Sequence, residues 1–176
     1  MSCIGIDIGE RNLAIFVWEH GSKEARCYLP NFVRRKSEGF RFEFRVLDFL
    51  KDKVKIIDAP CTVRIEKQRM NNARLAKIQS ALTTYYYVHI GDRVSVVCPP
   101  SSNKKISTYK KRKLYSVTKM EACFGKVPEG VKADDIADAF MIVAEKEEGF
   151  CATTLTLVIF RDGEFEKTVQ LAREGA

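Results

Sequence analysis

Asp7 closes the apolar run Cys3-Ile4-Gly5-Ile6, and Glu66 closes Thr62-Val63-Arg64-Ile65. Asp135 and Asp138 lie in Ala133-Asp134-Asp135-Ile136-Ala137-Asp138-Ala139-Phe140. An ionised carboxylate is costly in an apolar strand unless it meets a partner. Three such places in a chain of net charge +7 point to a cationic partner. The candidate is a pair of Mg²⁺ ions held against a nucleic-acid phosphate, with Mn²⁺ able to substitute. Phosphodiester hydrolysis needs an activated water, an in-line approach and neutralisation of the leaving oxygen. Two hard cations about 4 Å apart supply all three and require oxygen ligands. Asp135 and Asp138, at i and i+3, lie about 60° apart around a helix and reach one site. Asp134 and Asp138, at i and i+4, do so equally well, and spacing alone does not choose between Asp134 and Asp135. Each acidic place also has a plainer reading. Asp7 before Gly9 opens a turn, Glu66 pairs with Arg64 or Lys67, and the aspartate cluster complements a helix N-terminus. All three would have to coincide in a basic protein.

The basic excess is concentrated. Lys104, Lys105, Lys110, Lys111, Arg112 and Lys113 fall between the second and third acidic places, with Tyr109 and Tyr115 interleaved. A lone basic run is as often a solvated loop. Beside a carboxylate cluster it reads as a contact for DNA phosphates, which positions a substrate without reading its bases.

The elements that must hold these residues follow from pattern. Residues 2–8, 12–18 and 25–29 read as three strands joined by short turns, an antiparallel meander. Residues 37–53 read as a helix with Phe40, Phe44, Leu47 and Leu50 close to one face. A short strand over 62–66, a long helix over 71–89 stopped by Gly91, and a strand over 93–98 stopped by Pro99-Pro100 come next. Residues 117–124 and 131–147 read as helices, and 153–160 with 164–171 as a hairpin around Arg161-Asp162-Gly163. Strands first, then alternating helices and strands, give an α/β layer fold with a mixed sheet. In the long helix, Ala73, Ala76, Leu82, Tyr85 and Tyr86 read as a core-facing stripe. Of the consecutive Tyr85, Tyr86 and Tyr87, at most two could stack on unpaired bases.

At 176 residues the chain reads as one domain able to bury a core without disulfides. Cys3, Cys27, Cys61, Cys98, Cys123 and Cys151 are scattered, and only His20 and His89 accompany them, which argues against zinc. No apolar run is long enough for a membrane span, and Asp7 interrupts the first apolar stretch where a signal peptide would need continuity. The expectation is a cytoplasmic protein without a membrane partner.

Ile6-Asp7-Ile8-Gly9 with Asn12-Leu13-Ala14, then Ile65-Glu66-Lys67-Gln68, then Asp134-Asp135-Ile136-Ala137-Asp138-Ala139-Phe140, resemble the poxvirus Holliday junction resolvases. These belong to the RuvC-like group of the RNase H superfamily. The resemblance covers roughly residues 2–145, and the order and spacing of the motifs carry it. It implies an RNase H-like fold, a mixed five-stranded sheet flanked by helices, here with a C-terminal β-hairpin extension. Residues 1–150 would form the nuclease domain and 151–176 an extension packed on it. It further implies a homodimer, Mg²⁺ dependence with two ions per site, and paired symmetric nicking of four-way DNA junctions in recombination and replication. Carried over by position, the metal-binding and catalytic carboxylates fall on Asp7, Glu66, Asp135 and Asp138, leaving Asp134 at the surface. A catalytic lysine after the fifth strand falls on Lys105, with Lys104 as the alternative. Its plainer role is a phosphate contact, as for Lys104, Lys110, Lys111, Arg112 and Lys113. In this family the helix equivalent to 71–89 contributes to dimerisation. Viral replication in the cytoplasm of an infected cell is the implied setting.

Other readings share some of these residues. An RNase H or flap nuclease has the same carboxylates and differs in substrate. An actin-like or sugar-kinase ATPase also begins Asp-x-Gly, but it needs two lobes and a second phosphate loop. A non-catalytic junction-binding protein predicts loss of at least one acidic place, and all are present.

Overall fold

The computed structural model describes residues 1–9, 13–32, 41–54, 61–69, 71–98, 108–145 and 156–170. Among these residues seven strands form one sheet: β1 (Ser2–Ile8), β2 (Leu13–Glu19), β3 (Glu24–Leu29), β4 (Cys61–Glu66), β5 (Val94–Val97), β6 (Thr156–Arg161) and β7 (Glu164–Gln170). Their spatial order is β5-β4-β1-β2-β3-β6-β7. The first five elements of that order are the expected mixed five-stranded sheet. The meander β1-β2-β3 is antiparallel, whereas β4 pairs with β1, and β5 with β4, in parallel. The C-terminal hairpin continues this sheet. Its first strand, β6, pairs in parallel with β3, and β7 returns antiparallel along β6.

Among the described residues four α-helices cover the two faces: α1 (Arg41–Phe49), α2 (Ala73–Ile90), α3 (Tyr109–Phe124) and α4 (Ala133–Ala144). The end of α1 widens into a π-turn over Leu50–Val54 that still buries Leu50 and Val54. Asn72 caps α2 by accepting from the Leu75 amide at 3.3 Å, and Gly91, at φ 64°, ends it. Strand alternation sorts the core. Ile4, Ile6, Ile8, Ile15, Val17, Val63 and Ile65 pack on one face with Val46, Leu75, Ile78 and Leu82 of α1 and α2. Cys3, Ala14, Phe16, Cys27, Leu157 and Ile159 pack on the other with Met120, Phe124, Ile136 and Phe140 of α3 and α4. Phe16, Phe124 and Phe140 meet edge to face at 5.6–5.9 Å. Gly5 lets α4 cross β1 closely, because an added Cβ would run into Ala139 O and lie 2.9 Å from Val143 Cγ2.

Helix α3 begins eight residues before the expected start at 117, so Tyr109 to Lys113 are helical rather than loop. Thr108 caps it through the Lys111 amide at 3.4 Å. The expected helix at 37–40 and the strand starts at Asn12 and 153–155 lie outside the described residues, as do Pro99-Pro100. Cys3, Cys27, Cys61, Cys98 and Cys123 are free thiols, and Cys151 lies outside the described residues. Among the described residues no helix is long and apolar enough to cross a membrane.

Candidate active site

Strand polarity assembles the acidic residues. Asp7 is the second-last residue of β1 and Glu66 the last of β4, and these parallel neighbours end at the same edge of the sheet. The register Ile6↔Ile65, continued one step, sets Asp7 beside Glu66. Ile6 and Ile65 both point to the α1–α2 face, so the two carboxylates point to the α4 face. There Ala139 packs over Gly5, which sets the preceding residue, Asp138, near Asp7.

The carboxyls act on one another. Burial, a hydrogen bond to Glu66, and repulsion from Glu66 and Asp138 push Asp7 up to about 9, against the pull of Lys113. Burial also raises Asp138, opposed by Lys113. Glu66 Oε2 accepts from Gln68 Nε2 at 3.1 Å, and the Gln68 amide donates to Gln79 Oε1 at 2.6 Å. Helix α2 thereby steadies the Glu66 side chain.

Asp135 takes a different direction. Burial and Asp134 raise its carboxyl, and Lys132 lies 3.8 Å away. It faces β3, where its charge adds to burial in raising the Cys27 thiol, and it lines a polar cleft at the ends of β3 and β6. Asp7, Glu66 and Asp138 thus come together, with Asp135 one helical turn away at their flank.

Lys113 enters the site from α3. Its ammonium is hydrogen-bonded to Asp138 Oδ2 and lies 3.7 Å from Asp134. Burial alone would lower its pKa, but the bond and attraction of Asp138 hold it above the ordinary lysine value. Sequence reasoning grouped Lys113 with the DNA-contacting cations. A helical period from Lys113 to the buried Ser116 and Met120 is the signal that would have turned it inward. Lys110, Lys111 and Arg112 are exposed on the first turn of α3, whereas Lys104 and Lys105 lie outside the described residues. Tyr86 is buried and Tyr87 exposed.

The donor chemistry suits a hard divalent cation: carboxylate oxygens, one raised far from its ordinary pKa by burial and by its acidic neighbours. Among the described residues no three acidic, histidine or cysteine side chains form a ready-made ligand set, and Lys113 is hydrogen-bonded to Asp138.

The family model described as poxvirus A22 protein matches residues 1–146. The chain belongs to that family. Fowlpox virus resolvase in complex with substrate Holliday junction DNA is similar in structure, with a TM-score of 0.52 at 20% identity over 82% of this chain and 95% of that one. A second structure of the fowlpox virus Holliday junction resolvase gives 0.51 at 19% identity over 81% and 94%. Thermus thermophilus RuvC with Holliday junction substrate follows at 0.49 and 18% over 81% and 90%. The fowlpox likeness establishes the RNase H-like fold. No curated protein sequence matches the chain.

Proposed function

We propose that this poxvirus A22 family member is a divalent-metal-dependent endonuclease that resolves four-way DNA junctions. The observation that carries the reading is the meeting of Asp7, Glu66 and Asp138 at one sheet edge, beside a helix that begins with exposed cations. Membership in the family and the fowlpox resolvase fold support the substrate.

Asp7, Glu66 and Asp138 would hold the metal, with Asp135 completing the set from the flank. Bound there, Mg²⁺ supplies an activated water and neutralises charge on the leaving oxygen. Gln68 orients Glu66 for this role. Lys113, which holds Asp138, would place its ammonium to stabilise charge developing on the substrate phosphate. Lys110, Lys111 and Arg112 hold the backbone of an arm without reading bases. Lys105 remains our choice for a further lysine in the site, with Lys104 as the alternative. We read 1–150 as the nuclease domain and 151–176 as an extension of it, on the strength of the β3·β6 pairing.

Paired nicking needs two sites related by two-fold symmetry, and the α1–α2 face suits a homodimer. Phe44 and Val88 are 62% and 73% exposed there, around a groove of about 570 Å³. Both oxygens of Glu43 and the Tyr85 hydroxyl line this groove, buried and without hydrogen-bond partners among the described residues. Each such orphan costs about 1–3 kcal/mol, which a second copy can relieve. The site of action would be the cytoplasm of an infected cell.

The test is cleavage of a labelled four-way junction with Mg²⁺, comparing wild type with Asp138→Asn and Asp135→Asn. Paired symmetric nicks that vanish in both variants, with junction binding retained, are expected. Binding without cleavage by any of the three proteins would leave an architectural role, and cutting confined to RNA–DNA hybrids or flaps would reassign the substrate.

A further inference from the structure

The C-terminal hairpin lies beyond the residues matched by the family, yet its geometry ties it to the same sheet edge as the carboxylates. Because β6 runs parallel to β3, and β3 runs parallel to β1, the last residue of β6 comes out beside the ends of β1 and β4. That residue is Arg161. Across the sheet, Asp7 pairs with Ala14, the β2·β3 register continued one step sets Ala14 opposite Leu29, and Leu29 pairs with Arg161. These four residues form one row, and residues in a row share a face. Ala14 packs in the α3–α4 core, as do Leu157 and Ile159, which precede Arg161 at two-residue steps. Arg161 therefore faces the side on which α4 carries its aspartates. Three strand spacings of about 4.8 Å separate its backbone from that of Asp7 by roughly 14 Å.

The hairpin is held in that position by its own turn. Asp162 Oδ1 accepts from the Asn31 amide at 2.6 Å, and the Asp162 amide donates to Leu29 O at 3.4 Å. Arg161 Nη2 reaches Gly130 O at 3.5 Å, just before α4, and Lys167 Nζ reaches Glu129 O at the same distance. Between these elements lies a polar cleft of about 250 Å³, lined by Asn31, Lys132, Asp135 and Arg161 above Leu13 and Leu29. Lys132, whose ammonium lies 3.8 Å from Asp135, and Arg161 place two exposed cations at its rim.

We infer that this cleft is a second phosphate-binding position for DNA, built by the hairpin. Arg161 and Lys132 hold a backbone phosphate of the arm that leaves the carboxylate site across β2 and β3. The separation of roughly 14 Å corresponds to about four nucleotide steps of duplex rise. The planar guanidinium suits a phosphate, and the cleft walls exclude water from one side of the contact. The inference rests on the proposed junction-binding function and specifies how the substrate is held.

The test is the salt dependence of junction binding, measured by fluorescence anisotropy between 50 and 200 mM salt in EDTA. Each lost phosphate contact lowers the log–log slope by about 0.9. Arg161→Ala should therefore shrink the loss of affinity over that range by about 3.5-fold. Arg161→Lys, which keeps the charge, should restore most of the slope. Lys23→Ala removes a cation just before β3, at the opposite edge of the sheet, and should leave the slope unchanged. A slope unaltered in Arg161→Ala, or lowered equally in Lys23→Ala, would overturn the inference while leaving the junction-binding reading intact. An Arg161→Ala defect that Arg161→Lys fails to rescue would also overturn it, because the role would then be structural. A wild-type protein that does not bind the junction would instead overturn the function on which the inference rests.

Discussion

Replacing Asp7 by asparagine should make the metal-free protein more stable at neutral pH, although it removes a central acidic residue. The Asp7 carboxyl is pushed up to about 9 in the folded chain by burial and by Glu66 and Asp138, from an ordinary value of 3.8. Between those values the folded state binds more protons than the unfolded state, so stability falls as pH rises through that window. At pH 7.5 the distance from the unfolded value is about 3.7 units, each worth 1.36 kcal/mol, which sets a ceiling of about 5 kcal/mol. Relaxation of the buried Asp7–Glu66 pair reduces the effect to about 2 kcal/mol. The neutral amide keeps the shape of the protonated acid and carries no charge to be buried. In a chelator at pH 7.5, Asp7→Asn should melt about 4–8 °C above wild type, and the gap should close toward pH 4.5. Mg²⁺ at about 100 times its Kd should then stabilise wild type by about 2.7 kcal/mol and the variant far less. A variant that melts at or below wild type in chelator at pH 7.5, or a gap independent of pH, would refute the account of a repulsive, buried carboxyl cluster.

Three further outcomes follow from named contacts. Lys113→Ala should cut junction cleavage by about 10²–10³-fold while lowering affinity less than tenfold; equal losses in both would reduce Lys113 to a plain phosphate contact. Gly5→Ala should destabilise by about 1–3 kcal/mol in urea titration, because its methyl collides with Ala139 O and Val143, and should slow cleavage about 100-fold by lifting α4 off β1. Unchanged cleavage in Gly5→Ala would mean that α4 does not need this approach to align Asp138. Val88→Asp, on the exposed α1–α2 face, should convert a dimer to monomer in sedimentation velocity without lowering the melting temperature of the monomer; a persistent dimer would move the interface elsewhere.

The parts of the fold legible in the sequence were those whose signal is local. The runs in β1 and β2 are apolar at nearly every position because helices cover both faces, and the structure buries them so. The Arg161-Asp162-Gly163 turn announced its hairpin because Asp162 and Gly163 both take positive φ, at 51° and 84°. The first turns of α3 were missed because Lys110 to Lys113 carry no apolar periodicity. Thr108 and the stripe Ser116, Met120, Cys123 and Phe124 define that helix instead. The pairing of β6 with β3 joins residues more than a hundred positions apart, and nothing in either segment names the other. For the site, strand ends flagged Asp7 and Glu66, and helical spacing flagged Asp135 and Asp138. That Asp138 turns toward Asp7 while Asp135 turns toward β3 depends on how α4 crosses the sheet, which Gly5 controls and spacing alone does not reveal.

Direction of travel decides what a C-terminal addition to such a sheet can do. A hairpin attached to β3 by antiparallel pairing would send the end of its first strand to the far margin of the sheet. For the six residues of β6 that is a displacement of about 20 Å, away from the carboxylates. Parallel attachment requires the chain to travel back to the start of β3 before it enters β6. It also delivers the tight turn, with whatever side chains flank it, to the margin where chemistry occurs. The flanks of that turn are thus an adjustable tool-holder: residues there can change without disturbing the strands that carry the acids, and each change is presented to whatever lies across the carboxylates.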